Sequence, residues 1–356
     1  MNLLFNDKYI SGILTIVPDN VVQFDDEIHN YNFPVEKSSK LKKIMGYKQR
    51  RIVSNGETSS DLSVYGLNYL INTGFIKKSE IDAILFISQT PDYVMPPTSN
   101  LIQARLGLGD NVYCLDINQG CAGFMVGLYQ SFMLLDQPAI ETVILINADV
   151  LSPRVSKRDR NSNPIVGDAA AISVIKKRAG CKIFATLNMN GQGGMALNIP
   201  AGGARLPCGP STEIEECDAD GNFRSKSHLV MRGDEVFNFV QEKVPPMIEG
   251  LIKYSGVKLD EIFGFAFHQP NKFMLNKLAD KIGISHLKMP SNIVENFGNS
   301  SGVTIPLNLC FNYKQQLLTS VEKYCLAGFG AGLSWASCII DIGKLTFCDT
   351  IYYKEE

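Results

Sequence analysis

Runs of apolar residues alternate along the chain with amphipathic segments. Three runs, 82–88, 112–117 and 142–148, are apolar at successive positions, which is typical of strands that are buried on both faces. The segments between them, 99–109 and 122–135, repeat their apolar residues at helical spacing. Buried strands that alternate with helices predict a layered α/β fold.

The second half of the chain repeats this plan. Segment 80–150 is echoed by segment 259–332, and in this register Gly120-Cys121 falls on Gly298-Asn299. Two copies of a strand–helix–strand–helix unit indicate an internal duplication, with two similar halves that face each other.

We place the amino-terminal half at 1–175 and the carboxy-terminal half at 176–356. Between the repeats lies an irregular segment, 190–226, that is rich in Gly and Pro and then acidic. This segment could be a long surface loop. It could equally be a lid over a pocket, since long loops in compact domains are often functional.

Composition and charge exclude several classes of protein. Hydrophobic content of 45%, charged content of 20% and a net charge of -2 describe an ordinary globular protein without a basic surface for nucleic acid. The sequence contains no run of 18 apolar residues, so no membrane span is predicted. Nine cysteines without a C-x-x-C pair favour a reducing cytoplasm, and the four histidines show no metal-ligand spacing. We therefore expect no metal and no resident cofactor.

Cys121 is the candidate nucleophile. It lies between a predicted strand and a predicted helix, where unpaired N–H groups and the helix dipole favour a thiolate of lowered pKa. The flanking Gly120 and Gly123 allow close approach of backbone or substrate. A plain core cysteine is the alternative interpretation.

His268 and Asn299 are the candidate partners of this cysteine. His268 ends an apolar strand, at the rim of a sheet where sites in α/β folds gather. Asn299 occupies the place of Cys121 in the second copy, and its amide could donate to a carbonyl that gains negative charge. Either residue taken alone would also fit a structural role. The glycine-rich segment 327–335 is expected to direct backbone N–H groups into the same site.

The motifs around these residues resemble those of the β-ketoacyl-acyl-carrier-protein synthase III family of thiolase-fold condensing enzymes. "GCAGF" resembles the nucleophile motif of the family, "FHQPN" its histidine motif and "GNSSG" its asparagine motif, in the family's order. "GYKQRR", "VGDAAA" and "GFGAGLSW" also resemble recurring segments. The resemblance covers nearly the whole chain and implies a thiolase-like fold with duplicated α-β-α-β-α layers.

The resemblance also implies a mechanism. Cys121 would accept an acyl group from a thioester, with its own N–H and that of Ala331 as the oxyanion hole. His268 and Asn299 would bind the thioester carbonyl of a malonyl group, which loses CO2 and attacks the acyl-cysteine. The implied partners are acyl-coenzyme A or acyl-carrier protein, malonyl-carrier protein and a second copy of the chain.

Substrate-binding residues follow from the same resemblance. Residues that match the coenzyme A and pantetheine contacts are Arg160, Gly233, Phe237 and Asn271, and residues that match the acyl pocket are Met95, on a segment that reaches into the partner subunit, and Phe329. Two positions depart from the family. Lys40 stands where a tryptophan usually stacks on adenine, and Phe273 replaces an arginine that faces the carrier protein, so the donor thioester could be carried by a protein.

Three other functions fit the same residues less well. The acyl-cysteine could pass its acyl group to a hydroxyl or amine of a sugar or secondary metabolite without decarboxylation. The chain could be a non-catalytic partner subunit or a cysteine hydrolase. The departures in the coenzyme A site favour a specialised paralogue over a housekeeping initiator.

Overall fold

The computed structural model describes residues 1–354. The strands are β1 Asn2–Pro18, β2 Val21–Gln23, β3 Gln49–Arg51, β4 Ala83–Ile87, β5 Tyr113–Ile117, β6 Thr142–Asp149, β7 Ala169–Met189, β8 Leu197–Asn198, β9 Glu216–Cys217, β10 Phe223–Arg224, β11 Val230–Met231, β12 Gly264–Phe267, β13 Val321–Gly330, β14 Ser334–Gly343 and β15 Cys348–Tyr353. The α-helices are α1 Phe24–Glu27, α2 Val35–Met45, α3 Ser59–Asn72, α4 Thr98–Arg105, α5 Gly123–Leu134, α6 Gly233–Ser255, α7 Lys272–Ile282, α8 Ile293–Phe297 and α9 Thr304–Thr319. These bounds confirm the three strands and two helices predicted from the apolar pattern.

The long strand β7 joins two halves of one large sheet. Its first part pairs with β6, from Thr142↔Lys176 to Asp149↔Ala169, and β6 and β5 flank β4. Its second part pairs with β14, which continues to β13 and β12. Strand β1 runs antiparallel to β7 through both parts, with shifts of register between them. The boundary predicted between 175 and 176 lies within β7, and the division into two halves stays a prediction.

The helices form three layers around these two halves. Helices α5 and α9 lie in the middle and contact strands of both halves. Helix α5 is buried along most of its length because its sequence is apolar on all sides. Helices α3 and α4 cover the outer face of one half, and α6 and α7 cover the outer face of the other. The expected α/β fold and its α-β-α-β-α layers are confirmed.

The segment 190–226 consists of short turns and two-residue strands. A 3-10 turn, Gly191–Ala196, leads into β8, which pairs with β11. Strands β9 and β10 form a separate small hairpin. Within residues 1–354, no helix combines the length and the apolarity needed to cross a membrane.

Candidate active site

Cys121 and Asn299, which come from the two halves of the chain, line one small cavity. The cavity has a volume of about 60 Å³, and its polar lining includes Gln89 and Ser301. Leu151 and other apolar side chains complete the wall. An outer cleft of about 610 Å³ shares four lining residues with this cavity, so the cleft leads toward the cysteine.

Cys121 lies in the turn between β5 and α5, two residues before the helix begins, and its side chain is buried. The glycines around it are required by protein packing. A Cβ on Gly120 would lie 2.3 Å from Oε1 of Gln89, and one on Gly330 would lie 2.6 Å from Sγ of Cys121. Gly330 also has φ 154, a conformation that favours glycine. These glycines therefore allow two groups to approach the cysteine closely: the side chain of Gln89 and the carboxyl end of β13.

The pKa of the Cys121 thiol is raised, which corrects the expectation that the helix N-terminus lowers it. Burial is the largest cause, because it penalises the thiolate, and Asp149 raises the pKa further. The backbone N–H groups of Ala331 and of Cys121 itself act in the opposite direction, as does the hydroxyl of Ser301. The two backbone groups expected to form an oxyanion hole thus both act on the sulfur atom.

His268 follows β12, is buried, and is not among the residues that line the cavity; it is linked to the cavity through Ser301. Its backbone N–H donates to the carbonyl of Ala327 at 2.8 Å, which ties it to β13. Its ring lies edge-on to Phe329, with 5.7 Å between the ring centroids. Burial lowers the pKa of His268 to about 3, so the ring is neutral at pH 7. A ring of such low pKa is a poor proton acceptor at that pH.

Two groups face Nδ1 of His268. The carbonyl oxygen of Ser301 lies at 3.1 Å and Oγ1 of Thr304 at 2.8 Å. The Thr304 hydroxyl accepts from the backbone N–H of Gln269 at 3.1 Å, so its single proton is available to Nδ1 or to the Ser301 carbonyl at 2.8 Å. When Thr304 donates to Nδ1, the proton of the neutral ring is on Nε2, and Nε2 becomes a donor.

Asn299 is fixed by the segment that precedes β7. Its N–H donates to the carbonyl of Ile165 at 2.7 Å, and its carbonyl accepts from Gly167 at 3.2 Å. A Cβ on Gly298, which has φ 83, would lie 2.8 Å from N of Gly167, so this contact requires glycine. The side-chain Oδ1 accepts from N–H of Ser301 at 2.9 Å. Its amide nitrogen has no recorded partner among residues 1–354 and can donate to a ligand in the cavity.

The predicted thioester-binding residues lie outside the cavity lining. Arg160 packs on the ring of Phe33 at 4.5 Å and donates to the carbonyl of Asp220 in the 190–226 segment. Asn271 is the N-cap of α7, since its Oδ1 accepts from N–H of Met274 at 2.8 Å. Phe237 stacks on Phe273 at 5.7 Å, and Gly233 begins α6. Their role in substrate binding stays a prediction.

The two predicted acyl-pocket residues have opposite environments. Met95 is 81% exposed, at the tip of the loop before α4, whereas Phe329 is 1% exposed in the core. Neither residue lines the cavity at Cys121, and their role stays a prediction. Residues 197–199 and 201–203 line the outer cleft. Part of the 190–226 segment therefore forms a wall of the approach to the cysteine, and its role as a lid stays a prediction.

Four residues of the site were not predicted. Ser301 and Thr304 lie in and just after the "GNSSG" motif, Gln89 follows β4, and Asp149 ends β6. A position at the carboxyl end of a parallel strand was the available signal for Gln89 and Asp149. Nothing in the residue types distinguished Ser301 from its neighbour Ser300.

Comparison with known proteins identifies the family. Residues 115–192 match the family model described as 3-oxoacyl-[acyl-carrier-protein] synthase III, and residues 252–342 match its C-terminal model. The chain is 29% identical to a putative 3-oxoacyl-[acyl-carrier-protein] synthase 3 of Campylobacter jejuni, with 100% of both chains covered. It is 30% identical to a β-ketoacyl-[acyl-carrier-protein] synthase III of Clostridium acetobutylicum, over 94% of this chain and 98% of the relative.

A solved structure is similar over almost the full length. The 3-oxoacyl-(acyl-carrier protein) synthase of Burkholderia xenovorans superposes with a TM-score of 0.92 at 30% identity and covers 99% of each chain. This similarity confirms the thiolase-like fold that the motifs implied. The chain therefore belongs to the 3-oxoacyl-[acyl-carrier-protein] synthase III family of acyltransferases.

Proposed function

We propose that this acyltransferase condenses an acyl-cysteine with a malonyl thioester and releases CO2. The observation that carries the proposal is the composition of the cavity: a buried thiol, whose pKa the backbone N–H groups of Cys121 and Ala331 act to lower, with Asn299 in the same wall. The family supplies the general reaction, and the decarboxylative step is our inference from these donors.

In the first half-reaction, Cys121 attacks the carbonyl carbon of the donor thioester. The negative charge on the carbonyl oxygen is stabilised by the N–H groups of Cys121 and Ala331, and a donor of this kind is worth about 2.7–4 kcal/mol. The carrier thiolate leaves and takes the cysteine proton. Because the pKa of the buried thiol is raised, the proton leaves as the new bond forms.

In the second half-reaction, a malonyl thioester replaces the departed carrier. Its carbonyl oxygen accepts hydrogen bonds from the amide of Asn299 and from Nε2 of His268, with Thr304 donating to Nδ1. Loss of CO2 leaves an enolate that these two neutral donors stabilise. The enolate carbon attacks the acyl-cysteine, the 3-oxoacyl thioester is released, and Cys121 recovers a proton.

The surface beside the outer helices supports an acyl-carrier protein as donor or acceptor. Helix α2 packs against α7, and both carry several lysines. Lys40 and Lys272 are among them, and Lys272 has only a distant carboxylate, Glu295, at 3.9 Å. A positive surface attracts anionic carriers and their phosphate-containing arms. Coenzyme A thioesters are also negatively charged and therefore remain candidate donors.

The test is intact-mass spectrometry with a panel of acyl-coenzyme A and acyl-carrier-protein thioesters. We expect one acyl group on the wild-type protein and none on Cys121→Ala. Cys208→Ser removes an exposed thiol outside the cavity and should acylate like the wild type. Adding malonyl-carrier protein to the acyl-enzyme should release CO2 at a rate that falls by about 10²-fold or more in Asn299→Ala and His268→Ala.

Two results would overturn the proposal. One is the absence of acylation with every donor. The other is transfer of the acyl group to a hydroxyl or amine acceptor, or to water, without consumption of malonyl thioester.

A further inference from the structure

Ser301 presents a different group to each of the three candidate catalytic residues. Its backbone N–H donates to Oδ1 of Asn299 at 2.9 Å, and its carbonyl oxygen lies 3.1 Å from Nδ1 of His268. Its hydroxyl side chain lines the same small cavity as Cys121 and acts to lower the pKa of that thiol. Ser301 is itself buried, with 4% of its surface exposed.

An unusual backbone conformation allows these three contacts. Ser301 has φ 57, in the left-handed region that few residues other than glycine adopt. Such conformations persist where the surrounding contacts hold them, and they gather at functional sites. Here the turn directs the N–H, the carbonyl and the hydroxyl of one residue toward three different side chains.

The hydroxyl of Ser301 is held from behind by Gln89, which also contacts the buried Asp149. Nε2 of Gln89 donates to the hydroxyl oxygen at 2.8 Å, and the same hydroxyl acts to lower the pKa of the Asp149 carboxyl. Asp149 is 2% exposed and also accepts from the backbone N–H of Gln89 at 2.8 Å. Since Gln89 donates to the hydroxyl oxygen, the hydroxyl proton of Ser301 is free to point toward Asp149 or toward the sulfur of Cys121.

We propose that Ser301 is the positioning residue of this site, which orients Asn299 through its backbone N–H and presents its hydroxyl to Cys121. This inference rests on the proposed function for its kinetic consequences. Its effect on the thiol alone does not depend on the identity of the substrate.

The two contributions can be separated by two substitutions at Ser301. Glycine removes the hydroxyl but adopts positive φ without strain, so the backbone hydrogen bond to Asn299 is retained. Valine also removes the hydroxyl, and because β-branched residues disfavour positive φ it displaces the backbone groups as well. Ser300→Ala is the matched control, since the buried Ser300 hydroxyl has no hydrogen-bond partner within residues 1–354.

The first measurement is the pH dependence of Cys121 alkylation by iodoacetamide, followed by intact mass. In Ser301→Gly the profile should move to higher pH, because the lost hydroxyl lowers the pKa of the thiol. Acyl-enzyme formation should slow by about five- to tenfold, as for one lost hydrogen bond. Release of CO2 from preformed acyl-enzyme should fall further in Ser301→Val than in Ser301→Gly.

Circular dichroism confirms that each variant is folded before its rates are compared. The proposal is overturned if Ser301→Gly shows the alkylation profile and acylation rate of Ser300→Ala. It is also overturned if Ser301→Val releases CO2 as fast as the wild type. Failure of the wild-type protein to acylate with any donor would contradict the proposed function instead. The alkylation profile would still decide whether the Ser301 hydroxyl affects the thiol.

Discussion

At the scale of single residues, burial sets the protonation states of the site. It lowers the pKa of His268 to about 3 and raises that of Asp149 to about 6. It also raises the pKa of the Cys121 thiol. A neutral histidine and a neutral thiol therefore meet the substrate at pH 7, which suits stabilisation of charge by hydrogen-bond donors better than general-base catalysis.

The lowered pKa of His268 predicts an acid-sensitive contribution to stability. The unfolded chain binds a proton at this histidine below its ordinary pKa of about 6.5, whereas the folded chain does so only near pH 3. Stability therefore falls as the pH drops below 6.5. Relative to His268→Gln, the wild-type free energy of unfolding should fall by about 2 kcal/mol between pH 7.5 and 5.

Urea unfolding of both proteins across this range provides the measurement. Comparison with the variant is needed because Asp149 acts in the opposite direction: its pKa is raised, so the folded chain binds the extra proton between the ordinary pKa of the group and about 6. A difference between wild type and His268→Gln that does not change with pH would contradict the prediction.

The sequence revealed the residues whose chemical type is distinctive, and missed those whose role depends on geometry. Cys121, His268 and Asn299 stand in recognisable motifs at predicted strand ends. Ser301 differs from Ser300 only in its φ and in what it touches, and both follow from the folded chain. The expectation of a lowered thiol pKa was wrong because it used only the helix terminus, which is visible in the local sequence. Burial of the thiol is produced by segments distant in the sequence, and it raises the pKa.

At the scale of elements, a contact between two backbones joins the halves of the site. A Cβ on Gly167 would lie 2.2 Å from the carbonyl oxygen of Phe297 and 3.1 Å from Cα of Gly298. Backbone atoms cannot rotate away as a flexible side chain can. This contact holds the end of α8 against the start of β7 and thereby places Asn299.

Gly167→Ala should therefore destabilise the protein by about 2–3 kcal/mol and reduce the CO2-releasing step through displacement of Asn299. Gly250→Ala is the control, because that glycine lies inside α6 with no atom within 4 Å of its Cβ position. It should stabilise the protein by about 0.5–1 kcal/mol. Chemical denaturation checks both values, and equal effects of the two substitutions would refute the explanation.

The short buried strands were predictable because each is one uninterrupted apolar run. The two longest strands, β1 and β7, were not, because polar residues interrupt their apolar pattern. In β7 the interruption at 176–182 is the place where the strand passes from one half of the sheet to the other. A strand that changes neighbours midway has no single periodicity for a pattern to detect.

At the scale of the whole molecule, an exposed apolar loop supports the predicted homodimer. Tyr93, Val94 and Met95 are 62%, 96% and 81% exposed. Three consecutive exposed apolar residues favour coverage by a partner. On the same half of the molecule, β5 is an edge strand of the sheet, with no further strand beside it in the described chain.

Sedimentation should accordingly show a dimer for the wild type and a monomer for the double variant Val94→Glu, Met95→Glu, since burying two carboxylates is unfavourable. Leu287→Glu is a matched control, because Leu287 is 93% exposed elsewhere on the surface. It should sediment like the wild type. A wild-type monomer at micromolar concentration would contradict the homodimer.

The pairing of β1 has a consequence for how the protein is made. Residues near the start of β1 pair with β7, as in Asn2↔Thr186, and its later residues also pair with β15, as in Ile13↔Cys348. During translation, β1 emerges from the ribosome long before either neighbour has been synthesised. The edge of β1 that pairs with β15 stays open to other chains until elongation reaches β15, so nascent chains stalled before that point should be chaperone clients prone to aggregation.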